Sequence, residues 1–284
     1  MKITILLPLY NDWISLNKLL GKNFFFKNKK KFNIIIINDN SYIKKKSIEY
    51  LKNFNKVIII NLKSNLGSQR AIIVGLSYLK KVNTKKVIIM DSDGEDNPAL
   101  ISKILNMSNK NPEKIIVVNR SKRKENFLLR ILYFIHVYFL FFTTGKTIRF
   151  GNFSLLNKNH ILELINTHHS WLAYPSAVVQ KFKKNILHIY APKEKRYTGN
   201  SNMNYFNLFI HCLRMHSVFK NNAIFNLTFY NFVIYFFFSN NFFVFFFILS
   251  IIYISILNII FYLSKSQMPK NYLKEIKKID LIRK

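Results

Sequence analysis

Cysteine is almost missing. Cys212 is the single one in 284 residues, which excludes an internal disulfide framework and a zinc site built from thiolates. Acid is scarce as well: 13 Asp and Glu stand against 44 Lys and Arg, for a formal net charge of +31. That imbalance draws the chain toward anionic partners such as phosphates, nucleotides or an acidic membrane surface. No zinc-finger spacing and no aromatic-basic RNA signature occur, so nucleic acid is not an expected partner. Neither Gly-x-Gly-x-x-Gly nor a Walker A pattern is present, which sets aside dinucleotide enzymes and P-loop NTPases. The run Met1–Leu9 is short and broken by Pro8, so it reads as a buried first strand and not as a cleavable signal. What the chain holds in excess is apolar. Hydrophobic residues make up 50% and 28 residues are Phe, which excludes general disorder. Saturation in Lys, Asn, Ile and Phe follows AT-rich codon usage, so scattered lysines are read as solvated surface and only clustered charges carry weight.

Short β-branched runs recur at Ile3–Leu7, Asn33–Ile37, Val57–Ile60, Val87–Met90 and Ile115–Val118. Helical patterns lie between them, at Trp13–Leu20, Ile43–Phe54, Gln69–Leu79 and Ala99–Met107. Alternating strands and helices, with strands apolar throughout, predict an α/β fold on a mainly parallel sheet covered on both faces. Such sheets bind ligands at the carboxyl ends of their strands. After Val118 the alternation stops. Phe127–Phe142 is an apolar helix carrying Arg130 and His136 behind the basic run Arg120–Lys124, too short to span a bilayer and suited to its interface. Phe242–Leu263 is 22 residues without a charge, about 33 Å of helix against a hydrocarbon core of about 30 Å. Ala223–Phe238 is a weaker span interrupted by Asn226 and Asn231, with Ser239–Asn241 as the turn between them. Basic residues flank the hairpin on both sides, which places both ends in the cytoplasm. Residues 1–216 are thus expected to form a catalytic domain that includes an interfacial helix at about 124–142. Residues 217–264 follow as a membrane hairpin of one or two transmembrane helices, and 265–284 as a basic cytoplasmic tail.

The densest chemistry is Asp91, Ser92, Asp93, Gly94, Glu95, Asp96, Asn97, Pro98, directly after the fourth strand. Four carboxylates within six residues repel one another, and a bound cation would relieve that repulsion. Oxygen-only ligands suit Mg²⁺ or Mn²⁺. An EF-hand is excluded, because its sixth position would be Asp96 instead of Gly and its twelfth Ser102 instead of Glu. Pro8 and Tyr10 end strand one, where a nucleotide base could lie against the Tyr10 ring. Asp39, at the end of strand two, reads either as a hydrogen-bond acceptor for a base or as a satisfied turn residue. Gly67 would let the backbone approach a nucleotide closely. Adjacent His168 and His169 have no neighbouring carboxylate pattern and read as surface or packing residues.

These elements together resemble family-2 glycosyltransferases with the GT-A fold. Asp91–Pro98 is similar to the Asp-x-Asp-x-x-Asp-x-Pro string of the polyprenyl-phosphate glycosyltransferase and dolichyl-phosphate mannose synthase branch. Pro8, Tyr10, Asn11 and Asp12 match its Pro-x-Tyr-Asn-Glu. Asn38, Asp39, Asn40 and Ser41 match its Val-Asp-Asp-Gly-Ser, with Asn40 expected to adopt the left-handed conformation that Gly supplies. Asn65, Gly67, Ala71 and Gly75 match its Asn-x-Gly-x-x-x-Ala-x-x-x-Gly. More loosely, Arg120, the segment Phe150–Leu155 and the segment Arg196–Met203 resemble later elements of that branch. The Gln-x-x-Arg-Trp element of processive synthases is absent.

The resemblance implies a GT-A domain followed by an interfacial helix and a C-terminal transmembrane hairpin. It implies an inverting transferase that moves a sugar from a nucleotide diphosphate, UDP preferred over GDP, to a polyprenyl phosphate at the cytoplasmic face. Transfer to a glycan hydroxyl is the alternative, and a basic membrane-associated nucleic-acid binder is the reading from another class. Asp93 and Glu95 are expected to hold Mg²⁺ or Mn²⁺. Pro8, Tyr10, Asp12, Asp39, Gly67 and Asp91 would bind the nucleotide. Arg120, Arg130 and Arg196 would bind the acceptor phosphate, with Asp96 as base should the acceptor be a hydroxyl. A homo-oligomeric state stays open.

Overall fold

The computed structural model describes residues 3–22, 24–25, 31–43, 50–51, 54–82, 84–121, 127–199 and 204–283. Most of the helix expected at residues 43–54, the basic residues 122–124 and the segment 201–203 lie outside that set.

The apolar runs form the strands they predict. β1 (Ile3–Leu9), β2 (Phe32–Asn38) and β3 (Lys56–Leu62) pair in parallel, and β4 (Lys86–Ile89) pairs in parallel with the other side of β1. β5 (Ile115–Arg120) and β7 (Ile186–Ala191) are also parallel partners. β6 (Phe150–Asn157) runs antiparallel between β4 and β5. β8 (Ile276–Arg283) closes the far edge antiparallel to β3, giving the order β7-β5-β6-β4-β1-β2-β3-β8. The sheet is therefore mixed, four parallel pairings to three antiparallel ones. A tail wholly set apart from the catalytic domain is not what forms: within residues 265–284, Ile276–Arg283 returns to the sheet as β8. β8 mixes apolar Ile276, Ile279, Leu281 and Ile282 with charged Lys277, Lys278 and Asp280, the composition of a charged edge strand.

Helices cover both faces. Ser68–Leu79, Lys158–Ile165, His168–Leu172 and Tyr174–Phe182 bury their apolar sides in one core, and Trp13–Leu20 with Leu100–Lys110 lie in the other. Gly75 lets its helix lie close on the sheet, because a Cβ there would come within 2.8 Å of the Leu6 and Ile37 side chains. Strand order reverses between β4 and β1, and the carboxyl ends of β1 to β5 and β7 share one rim with the start of β6. That rim is where an open α/β sheet forms its crevice.

Four further helices, Phe127–Thr144, Tyr205–Ser217, Lys220–Phe237 and Asn240–Ser266, pack on one another beside the sheet domain. Asn240–Ser266, at about 40 Å of helix, and Phe127–Thr144, at about 27 Å, are both long and apolar enough to cross a membrane, which corrects the expectation that the latter is too short to span. Asn226 and Asn231 turn inward: Asn226 donates to the Thr143 carbonyl (3.2 Å) and Asn231 to Ser250 Oγ (3.1 Å). The outer faces carry large exposed aromatics, among them Phe134, Phe225 and Phe245.

Candidate active site

The rim assembles from short polar turns whose residues tie one strand end to the next. Asn11 and Asn40 take φ of 58° and 55°, the left-handed geometry expected of Asn40. Asn11 accepts from the Tyr42 and Ile43 amides and so fixes the β1 turn against the β2 turn. Pro8 lies within β1 itself, buried opposite Ile37, and its carbonyl accepts from Ser92 Oγ at 2.7 Å. Asp39 is buried, with one oxygen accepting from the Leu66 amide and the other from Gly67, each at 2.8 Å. Burial raises its pKa, against the lowering effect of those two amides. Asp39 thus pins the β2 end to the β3 loop and leaves Gly67, at φ 84°, with open space around it. Asp12 caps the helix Trp13–Leu20 through the Ser15 amide and also accepts from Thr198 Oγ1 at 2.9 Å. Tyr10 is half-buried, edge-on to Tyr42.

The acidic turn after β4 is the electrostatic centre. Asp96 is 6% exposed; it accepts from the Asp91 amide at 2.9 Å and sits 3.9 Å from Arg120. Arg120 also lies 3.8 Å from both Asp91 and Glu95, so one guanidinium faces three carboxylates. Asn152, at the start of β6, donates to Asp91 Oδ1 at 2.9 Å. Arg196 contacts Asp93 at 2.7 Å and Glu95 at 3.5 Å, and Lys193 contacts Glu95 at 3.0 Å. Burial raises the Asp96 carboxyl to about 7, with Asp91 adding to the rise and Arg120 opposing it. Burial likewise raises Asp93 to about 6, reinforced by Asp91 and Glu95 and opposed by Arg196. Arg120 is raised: burial works against its charge, and Asp96, Asp91 and Glu95 together outweigh it.

The residues after β7 form a strap across this turn. Glu194 and Tyr197 donate backbone amides to the Glu95 (3.0 Å) and Asp93 (2.9 Å) carbonyls. Gly94, at φ 92°, lets the Tyr197 ring lie on the turn; a Cβ there would be 2.4 Å from that ring. Arg130 is the expected site residue the structure leaves apart: it is exposed on the first turn of Phe127–Thr144 and joins none of the ion pairs of the acidic turn among the described residues.

The donor chemistry fits a hard divalent ion: Asp91, Asp93, Glu95 and the buried, unpartnered Oδ1 of Asn152 present only oxygen. No group of three or more His, Cys, Asp or Glu side chains among the described residues is arranged to hold a metal ion by itself. An ion held here would complete its shell from substrate phosphates and water.

The description Glycosyl transferase family 2 matches residues 4–173, more than half of the chain and every strand-end turn from β1 to β5. The chain belongs to that family. Among solved structures, this family 2 glycosyltransferase is similar to glucosyl-3-phosphoglycerate synthase from Mycobacterium tuberculosis in complex with Mn²⁺ and UDP-glucose. The identity is 11%, the TM-score 0.54, and 78% of this chain and 79% of that one are covered. It is also similar to a Mycobacterial protein at 10% identity and TM-score 0.54, over 78% of this chain and 74% of that one. The likeness establishes the GT-A fold. S. aureus TarS 1–349 shows 14% identity and a TM-score of 0.48 over 80% of this chain and 68% of that one. No curated protein sequence matches significantly.

Lys193 lies outside the expected site residues, and Tyr197 and Thr198 fall in the segment Arg196–Met203 without a role expected of either. Their signal was the polar, basic loop after β7, but only the parallel pairing of β7 with β5 brings that loop over the acidic turn.

Proposed function

We propose that this family 2 glycosyltransferase moves a sugar from a UDP-sugar to a polyprenyl phosphate at the cytoplasmic membrane surface, with inversion. The observation that carries the reading is the convergence of Arg120, Arg196 and Lys193 on the acidic turn, beside a helical unit whose outer faces are aromatic and exposed. Asp93 and Glu95 would hold a Mg²⁺ or Mn²⁺ ion, which supplies the charge that stabilises the departing diphosphate. Asp91, oriented by Asn152, and Asp96, oriented by the Asp91 amide, hold the turn in shape. Arg196, now paired with Asp93, carries the planar guanidinium that would be available to a phosphate. Arg120 keeps the buried carboxylates compensated and presents its remaining donors to the acceptor phosphate. The phosphate nucleophile is already anionic near neutral pH, so no strong general base is required. Pro8, Tyr10, Asp12, Asp39 and Gly67 shape the nucleotide side of the crevice.

β8 supports the membrane side of this reading. Lys220 enters the helical hairpin and Ser266 leaves it, and the chain then pairs with β3 of the catalytic sheet. Entry and exit on one side support a hairpin that crosses the bilayer twice, with Asn240–Ser266 long and apolar enough to span. A single span would carry β8 away from its sheet. Basic residues at both ends favour the cytoplasm for that side.

Transfer to a glycan hydroxyl is the second reading, favoured by one observation: an Asp96 carboxyl near 7 has the proton affinity a general base needs. Membranes incubated with labelled UDP-sugars and polyprenyl phosphate, with and without Mn²⁺, separate the two. Label in lipid extract supports the proposal, and label in polymer alone would reject it. Asp93→Asn should remove most turnover in either case.

A further inference from the structure

A second charged cluster lies away from the acidic turn, where the helical hairpin meets the sheet domain. Arg70, near the start of Ser68–Leu79, donates from Nε to the Trp171 carbonyl (3.3 Å) and from its terminal nitrogens to Gln267 (3.4 Å), with its guanidinium 5.0 Å over the Trp171 ring. Lys220 stands 4.3 Å from the Phe261 ring centre and 4.6 Å from that of Tyr262. His168 and His169 pack on the same Phe261, at 4.7 and 6.0 Å between ring centres. Arg214 is close enough to Arg70, and Lys265 to His168, for each to disfavour the other's charge. Burial and then Arg214 lower Arg70 to about 10; burial, then His169, Lys265 and Arg70, lower His168 to about 4. Among the described residues no carboxylate pairs with Arg70, Arg214, Lys220 or Lys265.

This gathering is not the scattered lysine of the composition. Two of the chain's eight arginines are half-buried here without a paired carboxylate among the described residues, and Arg70 reaches Gln267 at the end of an apolar helix. The junction also carries buried donors with no partner among the described residues: Trp171 Nε1, Ser170 Oγ, Ser264 Oγ and Tyr272 Oη. Like charges held together repel, and an anion is the one ligand that turns that cost into attraction. N–H and O–H donors beside cations are the groups that bind phosphate oxygens.

We infer that Arg70, Arg214, Lys220 and Lys265 form a binding site for the phosphate of an anionic lipid headgroup, which seats the catalytic domain on the bilayer. The inference uses the membrane reading for the site's location and does not depend on the transfer reaction. Phosphate is the chemistry recognised; a lipid is its source because Lys265 lies in the last turn of the emerging helix, Arg70 reaches Gln267 just after it, and Phe261 and Tyr262, which touch Lys220, continue into that helix's apolar surface.

Trp171 is a built-in reporter. The chain has two tryptophans, and Trp13 belongs to the core on the opposite face of the sheet. The full-length protein, reconstituted in bilayers, is titrated with brominated phosphatidylglycerol or brominated phosphatidylcholine while Trp171 quenching is followed. The anionic lipid should quench at clearly lower mole fraction, and each cation removed should cost about fivefold in apparent affinity. Arg70→Gln with Arg214→Gln should abolish the preference. Arg214→Gln with Lys265→Gln, which leaves the Arg70–Trp171 contact alone, should reduce it while the protein keeps its circular dichroism. Asp93→Asn should leave it unchanged, so an error in the transferase reading would not register here. Equal quenching by both lipids in the wild type, or a preference that survives both double variants, overturns the proposal. A gain in thermal stability from inorganic phosphate in detergent as large as that from phosphatidylglycerol, with chloride without effect, overturns the lipid as the source.

Discussion

Gly94→Ala tests how the strap after β7 lies on the acidic turn. At φ 92° an alanine is strained, by about 1–2 kcal/mol for a left-handed L-residue. The new Cβ would also stand 2.4 Å from the Tyr197 ring, and the ring cannot retreat freely, because Tyr197 and Glu194 are tied to the turn by backbone bonds of 2.9 and 3.0 Å. Displacing the strap to relieve the overlap loosens those two bonds and the Arg196–Asp93 contact, worth about 1 kcal/mol or more together. A total of about 2–3 kcal/mol corresponds to a fall of roughly 5–10 °C in Tm for a domain of this size. The assay is thermal unfolding of Gly94→Ala, Tyr197→Ala and the double variant. The double variant should recover the overlap while keeping the backbone strain, giving a coupling energy of about 1 kcal/mol or more. A Gly94→Ala protein as stable as the wild type, or purely additive effects, would refute this packing.

The other predictions concern charge and topology. Asp93 and Asp96 bind protons more tightly when folded, at about 6 and 7, than in an unfolded chain at about 3.9. Their contribution to stability is therefore full below about pH 4 and is lost as pH rises through 6 to 7. Denaturant unfolding without divalent ions should show the wild type losing stability relative to Asp96→Asn between pH 4.5 and 7.5, and the opposite slope would contradict the burial argument. Arg120→Gln strips the guanidinium facing three carboxylates and should cost about 3 kcal/mol in the same assay; a loss below 1 kcal/mol would show those acids compensated elsewhere. In a Cys212→Ser background, Asn241→Cys should react with an impermeant maleimide from outside intact cells and Lys270→Cys only in inverted vesicles. Labelling of both from one side would reject a hairpin that crosses twice.

The sheet was legible because each buried parallel strand is an unbroken β-branched run bounded by turn residues, as in Phe32–Asn38. The acidic turn was legible for a different reason: local sequence holds all four carboxylates. What escaped were features made by distant pairing. β8 lies beyond two apolar helices, and its strand character depends on an open edge at β3 that no local pattern announces. Lys193 reaches Glu95 because β7 adds beside β5. Asp39 and Asp12 drew attention as nucleotide ligands through their position at strand ends; the structure shows the local work that position requires, tying loops and capping a helix. Arg130, expected at the acceptor phosphate, is exposed on Phe127–Thr144 and joins none of the ion pairs of the acidic turn among the described residues.

The central claim is that the turn after β4 grips a divalent ion together with a nucleotide diphosphate. Isothermal titration of UDP into the purified protein, with and without Mn²⁺, addresses it most directly. Binding heat should appear only with Mn²⁺ and vanish in Asp93→Asn. Heat that is unchanged by chelation, or that survives Asp93→Asn, would contradict the account.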